Sequence, residues 1–169
     1  MARKTVTARL DGAGLRFIAQ TGSGHTIVMD NAEGDSGPRP AELLVVAQAG
    51  CTAMDVISIL RKKREDVVRY EVWVVGEQRD EPPPHVFERM NVLHVVEGDV
   101  AVEAVRRAID LSATKFCTVT GNLASGIVEI RHAYLVTDAA GEEHYGEVVV
   151  TGPNENLDAL GARAATGTR

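Results

Sequence analysis

Two cysteines, Cys51 and Cys117, are the side chains of this 169-residue chain that are best suited to covalent chemistry. Cys51 lies within the apolar run LLVVAQAGCTAMDVISIL, residues 43–60. The chain has no C-x-x-C pair, so neither a zinc cage nor a secreted disulfide framework is indicated. The N-terminal residues MARKTVTARLDGAG lack the apolar segment of a secretory signal, and we expect a cytoplasmic protein with free thiols.

The remaining residues do not indicate metal, nucleotide or nucleic-acid chemistry. The stretch GSGH, residues 22–25, is a turn without the strand, loop and helix context of a phosphate site. The net charge is −6, with Lys and Arg scattered among Asp and Glu, which argues against nucleic acid and anionic membranes as partners. The histidines share no H-x-x-H or H-E-x-x-H spacing, so we expect no metal site and predict surface or cross-strand positions for His25, His85, His94, His132 and His144.

The composition is that of a soluble globular protein, with 44% hydrophobic and 25% charged residues. A chain of this length can bury one real core but is short for two full domains. We therefore predict a single domain over residues 1–152. The segment 153–169 lacks periodicity and is predicted to be a disordered tail.

Periodicity and turn residues predict an α+β fold with the order βββ-α-ββ-α-ββ and antiparallel sheets. Three short strands within residues 5–30 are expected to form a meander, and a long helix then starts at Pro40 and runs through Leu60. A hairpin with a Pro-rich connection follows, and after it an amphipathic helix from an Asp99 N-cap through Phe116. The last four predicted strands are YEVWVVGEQR, HVFERMNVLHVV, GIVEIRHAYLV and HYGEVVVTG.

The first long helix is apolar on every face between Ala41 and Leu60, so it cannot be a surface helix with one solvated side. Its length approaches that of a membrane span. Four polar residues interrupt the run, and they favour a buried helix of a soluble protein: Gln48, Thr52, Asp55 and Ser58. We expect this helix to be surrounded by other elements.

Two sequence blocks resemble those of the OsmC/Ohr family. The block PAELLVVAQAGCTAMDVISIL places Cys51 in a helix of small and aliphatic residues. The block AIDLSATKFCTVTGNL places Cys117 directly after a helix and before a predicted Thr-Val-Thr strand entry. With the element order, the resemblance covers residues 5–150. It implies an intertwined homodimer in which two long central helices pack between sheets from both chains, so an all-apolar helix has two surfaces to bury.

The resemblance also implies an activity, because Ohr and OsmC proteins are thiol-dependent peroxidases that reduce organic hydroperoxides. By this match Cys51 is the peroxidatic nucleophile and Cys117 is the resolving thiol. A thiolate that attacks an O–O bond becomes a sulfenic acid, which a nearby thiol converts to a disulfide. The implied partners are an organic or lipid hydroperoxide and an external dithiol, such as a lipoylated protein, and no cofactor is needed.

The nucleophile needs a positive partner to be ionised near neutral pH. In the peroxidase members an N-terminal arginine has this role and is held by a glutamate near the start of the cysteine helix. The matching candidates here are Arg16 and Glu42, with Arg9 as a second candidate arginine. At about 100° per residue, the spacing of residues 42 and 51 places their side chains on opposite helix faces. Asp55, one turn beyond Cys51, is a carboxylate that disfavours a thiolate.

These departures leave other functions open. The second hypothesis is a dimeric protein that binds a small hydrophobic or thiol-containing ligand and has little peroxidase activity, and a third is a redox sensor. A lone cysteine in an apolar helix is most often a small core residue, and the second thiol in its matching block is what favours an enzyme. Thiol reactivity discriminates between these functions, because a peroxidase requires an ionised thiol and a binding protein does not.

Overall fold

The computed structural model describes residues 3–126 and 129–152. The described chain divides into two compact units between Val46 and Ala47. The order of elements is βββ-α-ββ-α-α-ββ, which confirms the predicted α+β class and adds one short helix. The predicted disordered tail, residues 153–169, lies outside the described residues.

The first unit is built on an antiparallel meander, as the turn residues predict. Gly12 lies in the first turn with φ 88° and Gly24 in the second with φ 87°, a region that L side chains rarely adopt. The three strands are β1 (Val6–Leu10), β2 (Phe17–Thr21) and β3 (Thr26–Met29).

Helix α1 (Pro40–Lys62) starts in the first unit and continues into the second. Its N-terminus is capped because the Glu42 carboxylate accepts a hydrogen bond from the backbone N–H of Arg39, at 2.8 Å. The expectation that other elements surround this helix is not met within one chain. The buried residues are spaced one turn apart along a single stripe: Gln48, Thr52, Val56 and Leu60. Apolar side chains elsewhere on α1 are exposed. Met54 is 73% exposed and Val46 is 60% exposed.

The second unit contains a four-stranded sheet with the order β4-β5-β6-β7. The predicted β4–β5 and β6–β7 hairpins are confirmed, but β5 and β6 run parallel, so the sheet is mixed rather than wholly antiparallel. Parallel neighbours need a long crossover, and the helices between β5 and β6 provide it. The strands are β4 (Asp66–Gln78), β5 (Phe87–Asp99), β6 (Glu129–Thr137) and β7 (Glu143–Thr151).

The crossover starts with helix α2 (Val102–Leu111), which continues into a π-helical turn at Ser112–Phe116. The predicted helix through Phe116 is thus confirmed in extent. The predicted strand entry after Cys117 is wrong, because Thr118–Ala124 forms a short helix, α3.

The predicted N-cap of α2 at Asp99 is also wrong. Strand β5 extends through Asp99, and Ala101 takes the cap position. The Ala101 N–H donates instead to the carboxylate of Glu65, at 2.8 Å. A side chain from another part of the chain therefore satisfies this helix end, which a local capping rule does not foresee.

The core of the second unit lies between one sheet face and helices α1 and α2. Alternate residues of β5 are buried, as its period-2 pattern predicts, and they include Met90, Val92, His94 and Val96. Leu60 of α1 and Ile109 of α2 are fully buried against this layer. The packing fixes α2 and its π turn against the middle of α1.

Candidate active site

The two cysteines come together in the second unit. Cys51 lies in the middle of α1 and is partly exposed, whereas Cys117 lies at the N-cap of α3 and is buried. Their Sγ atoms are within 4.8 Å of one another, and both cysteines are free thiols. The end of the second long helix thus returns to the middle of the first. This proximity allows a disulfide within one chain after small side-chain movements.

Cys117 is held as a protonated thiol. Its pKa is raised to about 11, chiefly by burial and to a smaller extent by the neighbouring Cys51 thiol, against the lowering effect of the hydrogen bonds with Thr120. The Thr120 backbone N–H donates to Cys117 Sγ at 3.3 Å, which caps α3. Since a thiolate is the reactive form, the more exposed Cys51 is the better placed of the two to attack first.

Asp55 is the third member of this cluster. One carboxylate oxygen of Asp55 lies within 4.8 Å of both Sγ atoms, and Asp55 is only partly buried. The Ser112 hydroxyl donates to this carboxylate at 3.1 Å, and it also lies 3.0 Å from the Thr52 hydroxyl. Within the described residues of the second unit, Asp55 forms no ion pair. The negative charge of a carboxylate in this position repels a thiolate.

The buried polar residues of α1 hold it against the crossover. Gln48 donates its amide N–H to the Thr120 hydroxyl at 2.9 Å, one turn before the contact between Thr52 and Ser112. In the sequence, Gln48 and Thr52 stand out only as polar interruptions of an apolar run. Their partners lie 60 or more residues away, with separations of 72 and 60, so no local pattern could find them.

A stack of aromatic side chains lies within the sheet of the second unit. Tyr70 and His94 are joined by a hydrogen bond of 2.8 Å between the phenol oxygen and Nδ1, and the His94 ring stacks on His132 with 6.0 Å between centroids. Burial, with a smaller effect of the Asp55 charge, raises the pKa of Tyr70. Burial lowers the pKa of His94 to about 3, with His132 contributing, and lowers that of His132 to about 4. Both imidazoles are therefore neutral at physiological pH.

Comparison with known proteins places the chain in a family. Residues 33–131 match the family of OsmC-like proteins, and the match runs across the division between the two units. The chain belongs to this family. Protein YhfA of Escherichia coli (strain K12) is 45% identical over 127 residues, which are 75% of this chain and 93% of YhfA.

Solved structures share the fold of this OsmC-like protein. A hypothetical protein from Aquifex aeolicus VF5 is 28% identical, with a TM-score of 0.72 over 80% of this chain and 97% of that one. An organic hydroperoxide resistance protein OsmC from Legionella pneumophila is 12% identical, with a TM-score of 0.58 over 80% of this chain and 97% of that one. At this identity, the second similarity concerns the fold alone.

The candidate activating residues of this OsmC-like protein lie in its first unit. Arg16 forms an ion pair with Asp11, with 2.9 Å between Nη1 and Oδ2, and Glu42 is bonded to Arg39. Among the described residues of the first unit, no ion pair joins Arg16 to Glu42. The roles assigned to Arg16, Glu42 and the alternative Arg9 therefore stay predictions.

Proposed function

We propose that the protein is a cysteine-based peroxidase that reduces organic hydroperoxides in the cytoplasm. The observation that carries this proposal is the approach of two free thiols to within 4.8 Å, one partly exposed and the other buried and protonated. Membership of the OsmC-like family supports it, since one structural relative is named an organic hydroperoxide resistance protein.

In the first step, the Cys51 thiolate attacks the outer oxygen of the hydroperoxide. An S–O bond forms as the O–O bond breaks, and the departing alkoxide takes up a proton to leave as an alcohol. Cys51 is then a sulfenic acid. In the second step, Cys117 attacks the Cys51 sulfur, and its proton leaves with the hydroxyl group as water.

The protonated state of Cys117 keeps this thiol out of the first step. A thiol with a pKa of about 11 does not compete with Cys51 for the hydroperoxide, and it stays beside Cys51 until the sulfenic acid forms. An external dithiol, such as a lipoylated protein, would then reduce the disulfide and return the enzyme to its starting state. Arg16 is proposed as the cation that favours the Cys51 thiolate, with Arg9 as the alternative, and Glu42 is proposed as the carboxylate that would orient it.

We expect the substrates of this chemistry to be apolar, because aliphatic side chains flank Cys51 along its helix. Leu44 and Met54 of α1 are large and exposed, at 44% and 73%. Burial of an alkyl group against such side chains is favourable by about 25 cal/mol per Å². An alkyl hydroperoxide therefore gains binding energy here that hydrogen peroxide does not.

One observation favours a second function. The Asp55 carboxylate lies beside both thiols, an arrangement that suits a dimeric protein that binds a small hydrophobic or thiol-containing ligand without peroxidase activity. The pH dependence of Cys51 alkylation separates the two functions. The cysteine of a peroxidase is alkylated readily near neutral pH. The cysteine of a binding protein is alkylated only when the pH approaches the pKa of an ordinary thiol.

The roles of the two cysteines are tested by measuring consumption of an alkyl hydroperoxide by matched serine variants. We expect Cys51→Ser to abolish consumption, and Cys117→Ser to allow one turnover that traps Cys51 as a sulfenic or sulfinic acid. The Cys51→Ser, Cys117→Ser double variant is the control for background reaction. Consumption by Cys51→Ser at the native rate would overturn the proposal.

A further inference from the structure

We propose that Cys51, Asp55 and Cys117 form a binding site for a thiophilic divalent cation, with Zn²⁺ as the ion that fits the donor set. Each residue contributes one donor atom, and the three donor atoms lie within 4.8 Å of one another. Zinc bonds of about 2.3 Å to sulfur and 2.0–2.2 Å to carboxylate oxygen separate tetrahedral donors by about 3.5–4 Å. Small side-chain movements close the remaining gap.

The charges of the cluster favour a cation. Two thiols and a carboxylate share the site, and within the described residues of the second unit Asp55 has no ion-pair partner. A bound divalent ion deprotonates the thiols that coordinate it, so both cysteines can serve as thiolate ligands. The Asp55 carboxylate repels a free thiolate, but in the presence of a cation it is a suitable ligand.

The surroundings of Asp55 orient it as a ligand. The Ser112 hydroxyl donates to its carboxylate at 3.1 Å and is itself positioned by Thr52. Hydrogen bonds of this kind fix the orientation of metal ligands and contribute to affinity. Cys51 and Asp55 are partly exposed, so an ion can enter, and three protein ligands leave the fourth position open to water.

The spacing rules used on the sequence could not identify this site. Cys51 and Asp55 lie one turn apart on α1, whereas Cys117 comes from the N-cap of α3, far along the chain. The absence of a C-x-x-C or H-x-x-H motif predicted no metal site. The crossover between β5 and β6 brings Cys117 beside Cys51 and Asp55.

The site does not depend on the proposed peroxidase activity, although it uses the same thiols. Zinc binding is measured on the reduced protein without peroxide, and peroxide consumption is measured with a chelator present. A negative result for zinc binding is therefore distinguishable from a negative result for peroxide consumption. Bound Zn²⁺ is expected to protect Cys51 from iodoacetamide, because a coordinated thiolate is unavailable for alkylation.

The test is a titration of the reduced, metal-free full chain with Zn²⁺ in competition with a chromophoric chelator. We expect one Zn²⁺ per chain, loss of binding in Cys51→Ser and Cys117→Ser, and affinity reduced about tenfold or more by Asp55→Asn and Ser112→Ala. Replacement of Zn²⁺ by Co²⁺ supplies a second measurement, since thiolate coordination gives a charge-transfer absorption band. Circular dichroism establishes that each variant is folded.

A matched control is available on the surface. Asp138, Glu142 and His144 also bring three donor atoms within 4.8 Å, so His144→Ala removes a ligand from this other group. We expect unchanged Zn²⁺ affinity in that variant. The proposal is overturned if His144→Ala abolishes binding, if Asp55→Asn and Ser112→Ala bind as the native chain does, or if the native chain shows neither zinc affinity nor a cobalt thiolate band.

Discussion

At the residue scale, the functional interpretation depends on what surrounds each thiol. Cys51 and Cys117 could be paired from the sequence because each lies in a block that resembles one family, and the structure brings them within 4.8 Å. The partners that position them could not be predicted. Ser112 and Thr120 reach α1 from 60 or more residues away, and such contacts depend on the crossover rather than on local pattern.

Asp55 is predicted to slow the reaction of Cys51. Its carboxylate lies within 4.8 Å of Cys51 Sγ, and two like charges at about this distance repel each other by about 1 kcal/mol in water. Asp55→Asn should therefore raise the rate of Cys51 alkylation by iodoacetamide at pH 7 roughly fivefold. The rate is measured with a chelator present, and Asp99→Asn, an exposed carboxylate of β5, is the matched control. Equal rates in Asp55→Asn and the native chain would show that the carboxylate does not govern this thiol.

At the element scale, the sequence predicted the helices, the meander and both hairpins, and the errors lie in the crossover. The Thr-Val-Thr segment after Cys117 has β-branched residues typical of a strand, yet it forms α3 because the Cys117 cap and the Gln48 contact hold it as a helix. The parallel pairing of β5 and β6 follows from the same crossover. Periodicity identifies an element but does not determine its direction in a sheet.

The histidines of β5 and β6 are predicted to make the fold sensitive to acid. Burial lowers the pKa of His132 to about 4, against 6.5 for an ordinary histidine, so the unfolded chain binds the proton first as pH falls. Stability is then full above about pH 6.5 and declines toward pH 4, by about 1.4 kcal/mol per pH unit for each histidine. His94, with a pKa of about 3, adds to this decline.

Urea unfolding between pH 7.5 and pH 5 measures this effect. We expect His132→Phe, which keeps an aromatic ring against His94, to reduce the loss of stability over this range by about half. His25→Ala, in an exposed turn of the first unit, should leave the loss unchanged. If the stability of His132→Phe declined with pH as steeply as that of the native chain, a group other than His132 would be responsible for the decline.

At the scale of the whole molecule, α1 exposes more apolar surface than a stable monomer usually does. Only one stripe of this helix is buried, although its length and composition would suffice for a membrane span. The buried stripe carries Gln48 and Thr52, which are hydrogen-bonded to the crossover, and this favours a helix packed within protein. The sequence predicted that the helix is surrounded, and the family resemblance implies that a second chain covers what one chain leaves open.

We therefore expect a homodimer in which α1 lies in the interface. Val46→Glu introduces a charge at an apolar position that is 60% exposed in one chain, so it should disrupt association without loss of internal packing. Sedimentation at micromolar concentration should show a dimer for the native chain and for Lys62→Glu, an exposed position at the end of the same helix. A native monomer, or a Val46→Glu variant that remains dimeric, would exclude this interface.

Cys51 and Cys117 are predicted to form one redox pair. The reduced, chelator-treated protein is mixed with one equivalent of an alkyl hydroperoxide, and its intact mass and non-reducing peptide map are recorded. We predict a disulfide between Cys51 and Cys117 of the same chain, since their sulfur atoms already lie within 4.8 Å. Thiols that remain unmodified, or disulfides found only between chains, would contradict the claim.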